Sequence, residues 1–271
     1  MAIEVDAKVI SSIRGKLNKL IQLDPNSYDN RDLDLISEDW YLSSFVVNTK
    51  RTVDNVVEKV DKCLKWRKLI KIRDLKVTDF PQVFYRQKIY ECYKVGQTYY
   101  VLFNYRHIHI PSGFADVYYK FSAIWGEVNM YTRKQGLNLV YIHDATNMTM
   151  SNVNMTFFMK FSELSSYYPM ATKNYIVGLN WLFKQIMSVV IMATDEQFKS
   201  VLEFVDSNQL LDKLGQDATP TIHGGKVDPN MQSPDDLERC VDLAECTMIH
   251  RISDKDASIA VNFYSKLGLQ V

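Results

Sequence analysis

The chain has 271 residues, of which 46% are apolar, and its 32 basic side chains balance its 32 acidic ones. A balanced charge excludes a strongly basic nucleic-acid-binding protein, and the apolar content is ordinary for a globular protein that buries a substantial core. The four cysteines form no Cys-x-x-Cys pair. This favours free thiols and a reducing, cytoplasmic setting, and the N-terminal residues show no signal-peptide pattern.

The first part of the chain has a helical pattern. Apolar residues recur at three- and four-residue spacing, which predicts helices over Ala7–Ile21, over Asp32–Phe45 and from a Thr52 cap through Lys68. We assign residues 1–75 to an N-terminal helical segment.

The pattern changes to strands near Lys88. Two aromatic runs flank a turn that contains Gly96, which predicts a β-hairpin, and further strands alternate with helices after it. The predicted strands are Ile89–Tyr93, Thr98–Tyr105, Leu137–Asp144, Tyr175–Val177 and Ser200–Phe204, and the helices between them are Phe114–Arg133 and Asn154–Tyr168. The order predicts an α/β sheet that is mostly parallel after the hairpin, in a domain over residues 76–229, followed by a helical tail over 230–271.

The segment from Asn180 to Ala193 is apolar around most of a helix, with only Lys184, Gln185 and Ser188 forming a polar stripe. Such a helix must be covered on most of its circumference, yet it is too short to span a bilayer. The residues leave two interpretations open. The helix belongs to the core, or it walls an apolar cavity on one side and meets a membrane on the other.

Methionines are concentrated in the second half of the chain, at Met148, Met150, Met155, Met159, Met170, Met187 and Met192. Methionine fills irregular apolar space, so the cluster is either core filler or the lining of a site for a flexible apolar ligand. Few polar contacts are needed for such a ligand, because ten buried methylenes contribute about 8 kcal/mol.

Two histidine motifs are candidates for a metal site or a catalytic site. The pair His107-x-His109 would lie on one face of a strand, but a metal site needs a third ligand and none is near, so we expect no metal. The pair His143-Asp144 ends a strand, where α/β active sites often lie, but the chain has no Gly-x-Ser-x-Gly turn. We therefore expect Asp144 to fix the loop that follows, and no catalytic residues.

Taken in order, several motifs resemble the CRAL-TRIO lipid-binding family. The resemblance covers about Asp32 to Lys226 and rests on four stretches: the helix ending Trp66-Arg67-Lys68, the strand end Tyr141-Ile142-His143-Asp144, the run from Tyr168-Pro169 to Trp181-Leu182-Phe183, and the loop Thr219-Pro220-Thr221-Ile222-His223-Gly224-Gly225. No phosphate-cradling pattern surrounds the two glycines, which indicate a tight backbone passage.

The resemblance implies an N-terminal helical segment and a mixed, mostly parallel sheet flanked by helices, with Trp181–Met192 as a gate helix over an apolar cavity. It implies a monomeric, cytoplasmic protein, peripheral to membranes, that touches a membrane surface transiently. The ligand would be a hydrophobic lipid (a phospholipid or another acyl or isoprenoid molecule), and transfer between membranes is a further expectation. No enzymatic activity and no cofactor are expected. The expected ligand-binding residues are Tyr141, Met155, Met159, Tyr168, Trp181, Phe183, Met187 and Val190.

The chain departs from the phosphatidylinositol-transferring members of that family. Those members have a Glu where this chain has Met170 and a Lys near Val201, and their signature has a proline before the Trp that Gly178-Leu179-Asn180 lacks. A phosphoinositide headgroup needs charge-assisted hydrogen bonds. The sequence therefore leaves the ligand class open, with a protein-interaction adaptor of the same fold and a filled cavity as the alternative.

Overall fold

The computed structural model describes residues 5–46, 52–169, 171–192, 194 and 196–269. Its α-helices are α1 Ala7–Leu23, α2 Asp39–Val46, α3 Val53–Leu69, α4 Gln82–Arg86, α5 Ala115–Tyr131, α6 Met155–Tyr167, α7 Trp181–Met192, α8 Glu196–Val201, α9 Ser207–Leu214, α10 Leu243–His250 and α11 Asp254–Lys266. Its strands are β1 Tyr90–Val95, β2 Thr98–Asn104, β3 Asn138–Asp144, β4 Lys173–Val177, β5 Leu202–Val205 and β6 Asn230–Met231.

The six strands form one sheet in the order β5-β4-β3-β2-β1-β6. Strands β2 to β5 pair in parallel, each joined to the next through helices, whereas β1 is antiparallel to both β2 and β6. Parallel neighbours need such crossover connections, and a short turn joins antiparallel ones. The predicted mixed sheet, mostly parallel after a hairpin, is confirmed.

The N-terminal helices are attached to the sheet domain through a buried ionic cluster. The Arg67 guanidinium at the end of α3 lies 2.9 Å from an Asp32 carboxylate oxygen and also pairs with Glu127 of α5. Arg73 pairs with the same Asp32 carboxylate. A buried charge is tolerated only when it is paired, so this cluster fixes the position of α3 against α5.

Two predicted elements differ from the observed ones. The helix expected over Asp32–Phe45 is interrupted at Glu38, between a 3-10 helix over Asn30–Ser37 and α2. Arg14 of α1 donates to the carbonyls of Ile36 and Ser37, at 2.8 and 3.1 Å, which satisfies groups that a continuous helix would have bonded internally. The strand expected from Ser200 begins at Leu202, because α8 extends to Val201.

The C-terminal tail is part of the main core. Strand β6 extends the sheet at β1, and α10 and α11 bury Cys246, Ala260 and Tyr264 among the residues that pack between the sheet and α5. The Tyr264 hydroxyl lies 2.8 Å from that of Tyr118. The tail thus closes one side of the sheet domain, while the boundaries that we placed near residues 75 and 229 stay predictions.

Candidate functional site

A cavity of about 120 Å³ lies between α7 and one face of the sheet. Neighbouring strands supply its floor: Phe103 of β2 is opposite His143 of β3, and Tyr141 and His143 are opposite Asn174 and Ile176 of β4. Because side chains alternate between the two faces of a strand, this register brings all five to the same side.

Helices α5, α6 and α7 form the walls of the cavity. Gly126 of α5 lies under Tyr168, where a Cβ atom would come within 2.7 Å of the tyrosine ring. The Tyr168 hydroxyl donates to the Ala123 carbonyl at 2.7 Å. The glycine therefore allows the ring to lie directly against α5 and to form one end of the cavity.

Helix α7 has two different apolar sides. The Asn180 side chain accepts a hydrogen bond from Phe183 N at 3.1 Å, as expected of an N-cap. Met187 and Val190 point into the cavity, whereas Trp181 is 74% exposed and Met192 is 70% exposed. Of the two interpretations of this helix, the structure favours the one in which it walls a cavity and presents apolar groups outwards.

The structure brings together four of the eight predicted ligand-binding residues: Tyr141, Tyr168, Met187 and Val190 line the cavity. The other four lie elsewhere. Phe183 is buried in the adjoining core, Trp181 is on the outer side of α7, and Met155 and Met159 are on the exposed face of α6. The roles of all eight in ligand binding stay predictions.

The methionine cluster is dispersed in space. Met187 lines the cavity and Met148 is buried in the core, whereas Met150 and Met192 are largely exposed together with the two methionines of α6. Met170 lies outside the described residues. The cluster therefore does not form a continuous lining, because α6 directs phenylalanines rather than methionines toward the sheet.

Two polar groups of the cavity floor, His143 and Asn174, come from the sheet and were not predicted as ligand contacts. His143 is almost fully buried, and the Tyr105 hydroxyl lies 3.2 Å from its Nδ1. Burial lowers the pKa of His143 to about 4, although the neighbouring Asn174 side chain favours the protonated ring. Among the described residues, no hydrogen-bond partner lies at normal geometry to His143 Nε2 or to Asn174 Nδ2. The sequence signal that could have revealed Asn174 as a cavity residue is its lone amide in the otherwise apolar run Asn174–Val177.

Tyr141 is also held in its neutral form. Burial raises the pKa of its hydroxyl to about 12, while a hydrogen bond from Asn129 and the nearby charge of Arg133 act in the opposite direction. Asn129 Nδ2 lies 3.5 Å from the hydroxyl. The tyrosine therefore offers the cavity an uncharged polar edge.

Asp144 lies on the opposite face of the sheet from His143. Its Oδ1 accepts a hydrogen bond from Thr146 N at 2.8 Å, and its Oδ2 lies 3.5 Å from His223 Nε2. Burial would raise the pKa of Asp144, but the interactions with His223 and Thr146 outweigh it and lower the pKa. The expectation that Asp144 fixes the following loop is confirmed, and the two adjacent residues do not share a site.

The remaining sequence motifs also have structural roles. A Cβ atom on Gly225 would lie 1.9 Å from the Thr219 carbonyl oxygen, which confirms the tight backbone passage. His107 and His109 follow β2 rather than belonging to a strand, so that expectation is wrong: His107 lies in a 3-10 turn with its Nδ1 2.7 Å from the Gln87 carbonyl oxygen. Within the described parts of the chain, no group of three or more metal-ligating side chains was found.

The fold belongs to the α/β class. A helical segment precedes a mixed sheet that is covered by helices, and one apolar helix lies over a cavity. Residues 94–225 match the family model of the CRAL/TRIO domain. The fold is also similar to the crystal structure of Sfh5, with a TM-score of 0.58 and 12% sequence identity over 92% of this chain and 98% of that chain. Residues 94–225 are thus similar to the CRAL/TRIO domain, and the similarity to Sfh5 shows that the shared fold extends well beyond this segment. None of the described helices is long and apolar enough to cross a membrane.

Proposed function

We propose that the protein binds a lipid in the cavity beneath α7 and transfers it between membranes. The observation that carries the proposal is the two-sided apolar character of α7. One side closes an apolar cavity, and the other exposes Trp181, Leu182, Val189 and Met192. Exposed apolar groups concentrated on one element are typical of an interaction surface, and here that surface is on a helix that also lines a cavity.

The size of the cavity implies that α7 moves when a ligand binds. About 120 Å³ is less than the roughly 300–1,000 Å³ of most small-molecule sites. A lipid chain can enter only if α7 is displaced from the sheet. Insertion of Trp181 and Met192 into a bilayer would stabilise the displaced helix, because burying each large apolar side chain contributes about 1.5–3 kcal/mol.

Two measurements test the proposal. Native mass spectrometry of the purified protein, before and after incubation with phosphatidylcholine vesicles, should show an added mass that dissociates as a lipid. In vesicle sedimentation, the double variant Trp181→Asp with Met192→Asp should bind at least tenfold more weakly than the natural chain, because both apolar anchors are lost.

The matched control adds the same two charges to a different helix, because Gln185 and Ser188 of α7 lie on the same side as Trp181 and Met192. Asn18→Asp with Gln22→Asp changes exposed residues of α1, which packs on α3, and should leave vesicle binding close to that of the natural chain. Equal binding by the natural chain and the apolar-face variant would rule out α7 as the membrane contact.

The small cavity also favours a second candidate, a protein-interaction adaptor that keeps the fold without a ligand. The two candidates differ in one observable. An adaptor should show a lipid-free mass both before and after exposure to vesicles.

The finer resemblance of the chain supports a binding role. Asp39-Trp40, Trp66-Arg67-Lys68, Asn152-Val153-Asn154-Met155 and Tyr167-Tyr168-Pro169 are similar to the CRAL-TRIO portion of motile sperm domain-containing protein 2. We propose that this chain acts without catalysis. His143 and Asp144 lie on opposite faces of the sheet, which supports this view, because the two side chains cannot act together at one catalytic site.

A further inference from the structure

We infer that the bound lipid carries an uncharged polar end, whose oxygen accepts hydrogen bonds from His143 and Asn174. The inference rests on the proposed function and specifies the ligand class. It follows from three observations: the hydrogen bonds of the polar side chains that line the cavity, the charges of the lining residues, and the volume of the cavity.

The cavity contains two buried donors that face a common space. His143 is 4% exposed, Asn174 is 1% exposed, and both line the cavity. The Asn174 side chain interacts with the His143 ring, but among the described residues neither His143 Nε2 nor Asn174 Nδ2 has a partner at normal hydrogen-bond geometry. The Tyr105 hydroxyl lies 3.2 Å from Nδ1, and in the tautomer in which this hydroxyl donates to Nδ1 the proton of the neutral ring is on Nε2. Buried donors are costly when unpaired, so a ligand acceptor placed between them would be bound with a large gain.

The charges around the cavity exclude an anionic end group. Among the described residues that line it, none is a lysine, arginine, aspartate or glutamate. Burial also keeps the His143 ring neutral, and the nearby Arg133 does not line the cavity. A phosphate would be a buried charge without a counter-ion, which is far more costly than a buried hydroxyl or carbonyl.

The volume of the cavity suits a small end group. A cavity of about 150 Å³ in another protein holds one benzene molecule, and the space here is about 120 Å³. A hydroxyl or carbonyl with a few attached carbons fits beside His143 and Asn174 without any movement of the sheet. The hydrocarbon remainder would occupy the space that opens when α7 is displaced.

The test measures lipid uptake by the full chain from phosphatidylcholine vesicles. Separate vesicle samples contain cholesterol, dioleoylglycerol or farnesol as uncharged lipids with an oxygen acceptor, squalene as a lipid without one, and phosphatidylinositol as an anionic lipid. After the vesicles are removed by sedimentation, mass spectrometry quantifies the lipid that remains with the protein. We expect uptake of at least one of the three oxygen-containing uncharged lipids, and at least tenfold less uptake of squalene and of phosphatidylinositol.

Variants connect the uptake to the two donors. Asn174→Leu and His143→Phe should each reduce uptake about tenfold, since one hydrogen bond to the ligand is lost. The matched control is Tyr175→Phe, which removes a hydroxyl from the other face of the same strand and should leave uptake unchanged. Asn174→Leu should unfold at the same or a higher urea concentration than the natural chain, because it removes an unpaired buried amide. A purely structural role would lower that concentration.

The possible failures are distinguishable. If phosphatidylinositol or squalene is taken up as well as the oxygen-containing lipids, or if Asn174→Leu retains full uptake, the inference is wrong and the proposed function stands. If the natural chain takes up no lipid at all, the proposed function fails.

Discussion

His143 is a titratable group of the cavity whose burial changes the charge that it carries between about pH 4 and 6.5. It lies on β3 between Phe103 and Ile176 on the neighbouring strands, and burial lowers its pKa from 6.5 to about 4. An imidazole that is neutral when folded and protonated when unfolded links stability to pH.

The sign of this linkage gives a prediction. Between about pH 4 and 6.5 the unfolded chain binds a proton at this position that the folded chain does not, so stability falls as the pH is lowered through this interval. His143 alone should remove up to about 3 kcal/mol by the lower end of the interval. In His143→Gln this contribution should disappear, and urea unfolding of both proteins at several pH values would measure the difference.

The other histidines do not interfere with that comparison. Burial also lowers the pKa of His107, His109 and His250, but all three are present in both proteins. The difference between the two profiles therefore isolates position 143. Parallel profiles would show that the ring is not kept neutral in the folded chain.

Among the secondary-structure elements, α7 depends on the turn that precedes it. Gly178 has φ of +75°, and a Cβ atom there would lie 2.9 Å from backbone atoms of Thr146. Both the backbone conformation and the space require glycine, because other residues rarely adopt positive φ and the neighbouring backbone cannot move aside cheaply.

Gly178→Ala should therefore destabilise the fold by about 1–3 kcal/mol. The matched control is Gly15→Ala in the exposed middle of α1, where a Cβ atom would meet nothing within 4 Å. That change should raise stability by up to about 1 kcal/mol, since alanine favours helix more than glycine does. Thermal or urea unfolding measures both, and equal effects of the two substitutions would contradict the role of the turn.

Helix α7 also shows how far sequence reasoning reaches. Its start at Asn180 and its apolar character could be predicted, because capping and composition are local properties. Which apolar residues face the sheet could not, because a helix that is apolar on most sides has no clear period. Phe183 and Trp181 were both expected to contact the ligand, but they lie on opposite sides of α7, with Phe183 buried and Trp181 exposed. Asn174 was missed because only the strand register places its amide beside His143.

At the scale of the whole molecule, some contacts join residues that are far apart in sequence, and local sequence patterns do not predict them. The mostly parallel character of the sheet followed from alternating strands and helices, but β6 has only two residues and pairs with β1, far away in sequence. Such a short strand carries no periodic signal. The same is true of the Arg67 cluster, whose partners Asp32 and Glu127 are distant in the chain and meet only after the helical segment packs on α5.

The proposed function assigns two activities to opposite sides of one helix. Vesicle docking would use the outer side of α7, and ligand binding would use the cavity on its inner side. A substitution on one side should therefore alter one activity and spare the other. Trp181→Asp with Met192→Asp tests docking, and a change in the cavity floor tests binding.

Ile176→Phe is the corresponding change in the cavity floor. Ile176 is buried on β4 and faces the cavity, so the larger ring extends into free space and should cost at most about 1–3 kcal/mol of stability. Lipid uptake should fall at least tenfold because the ring occupies the space of the end group, whereas sedimentation with phosphatidylcholine vesicles should stay within about twofold of the natural chain, since the outer side of α7 is unchanged. Loss of both activities together in a folded variant would show that docking requires a bound lipid, and normal uptake would place the ligand outside this cavity.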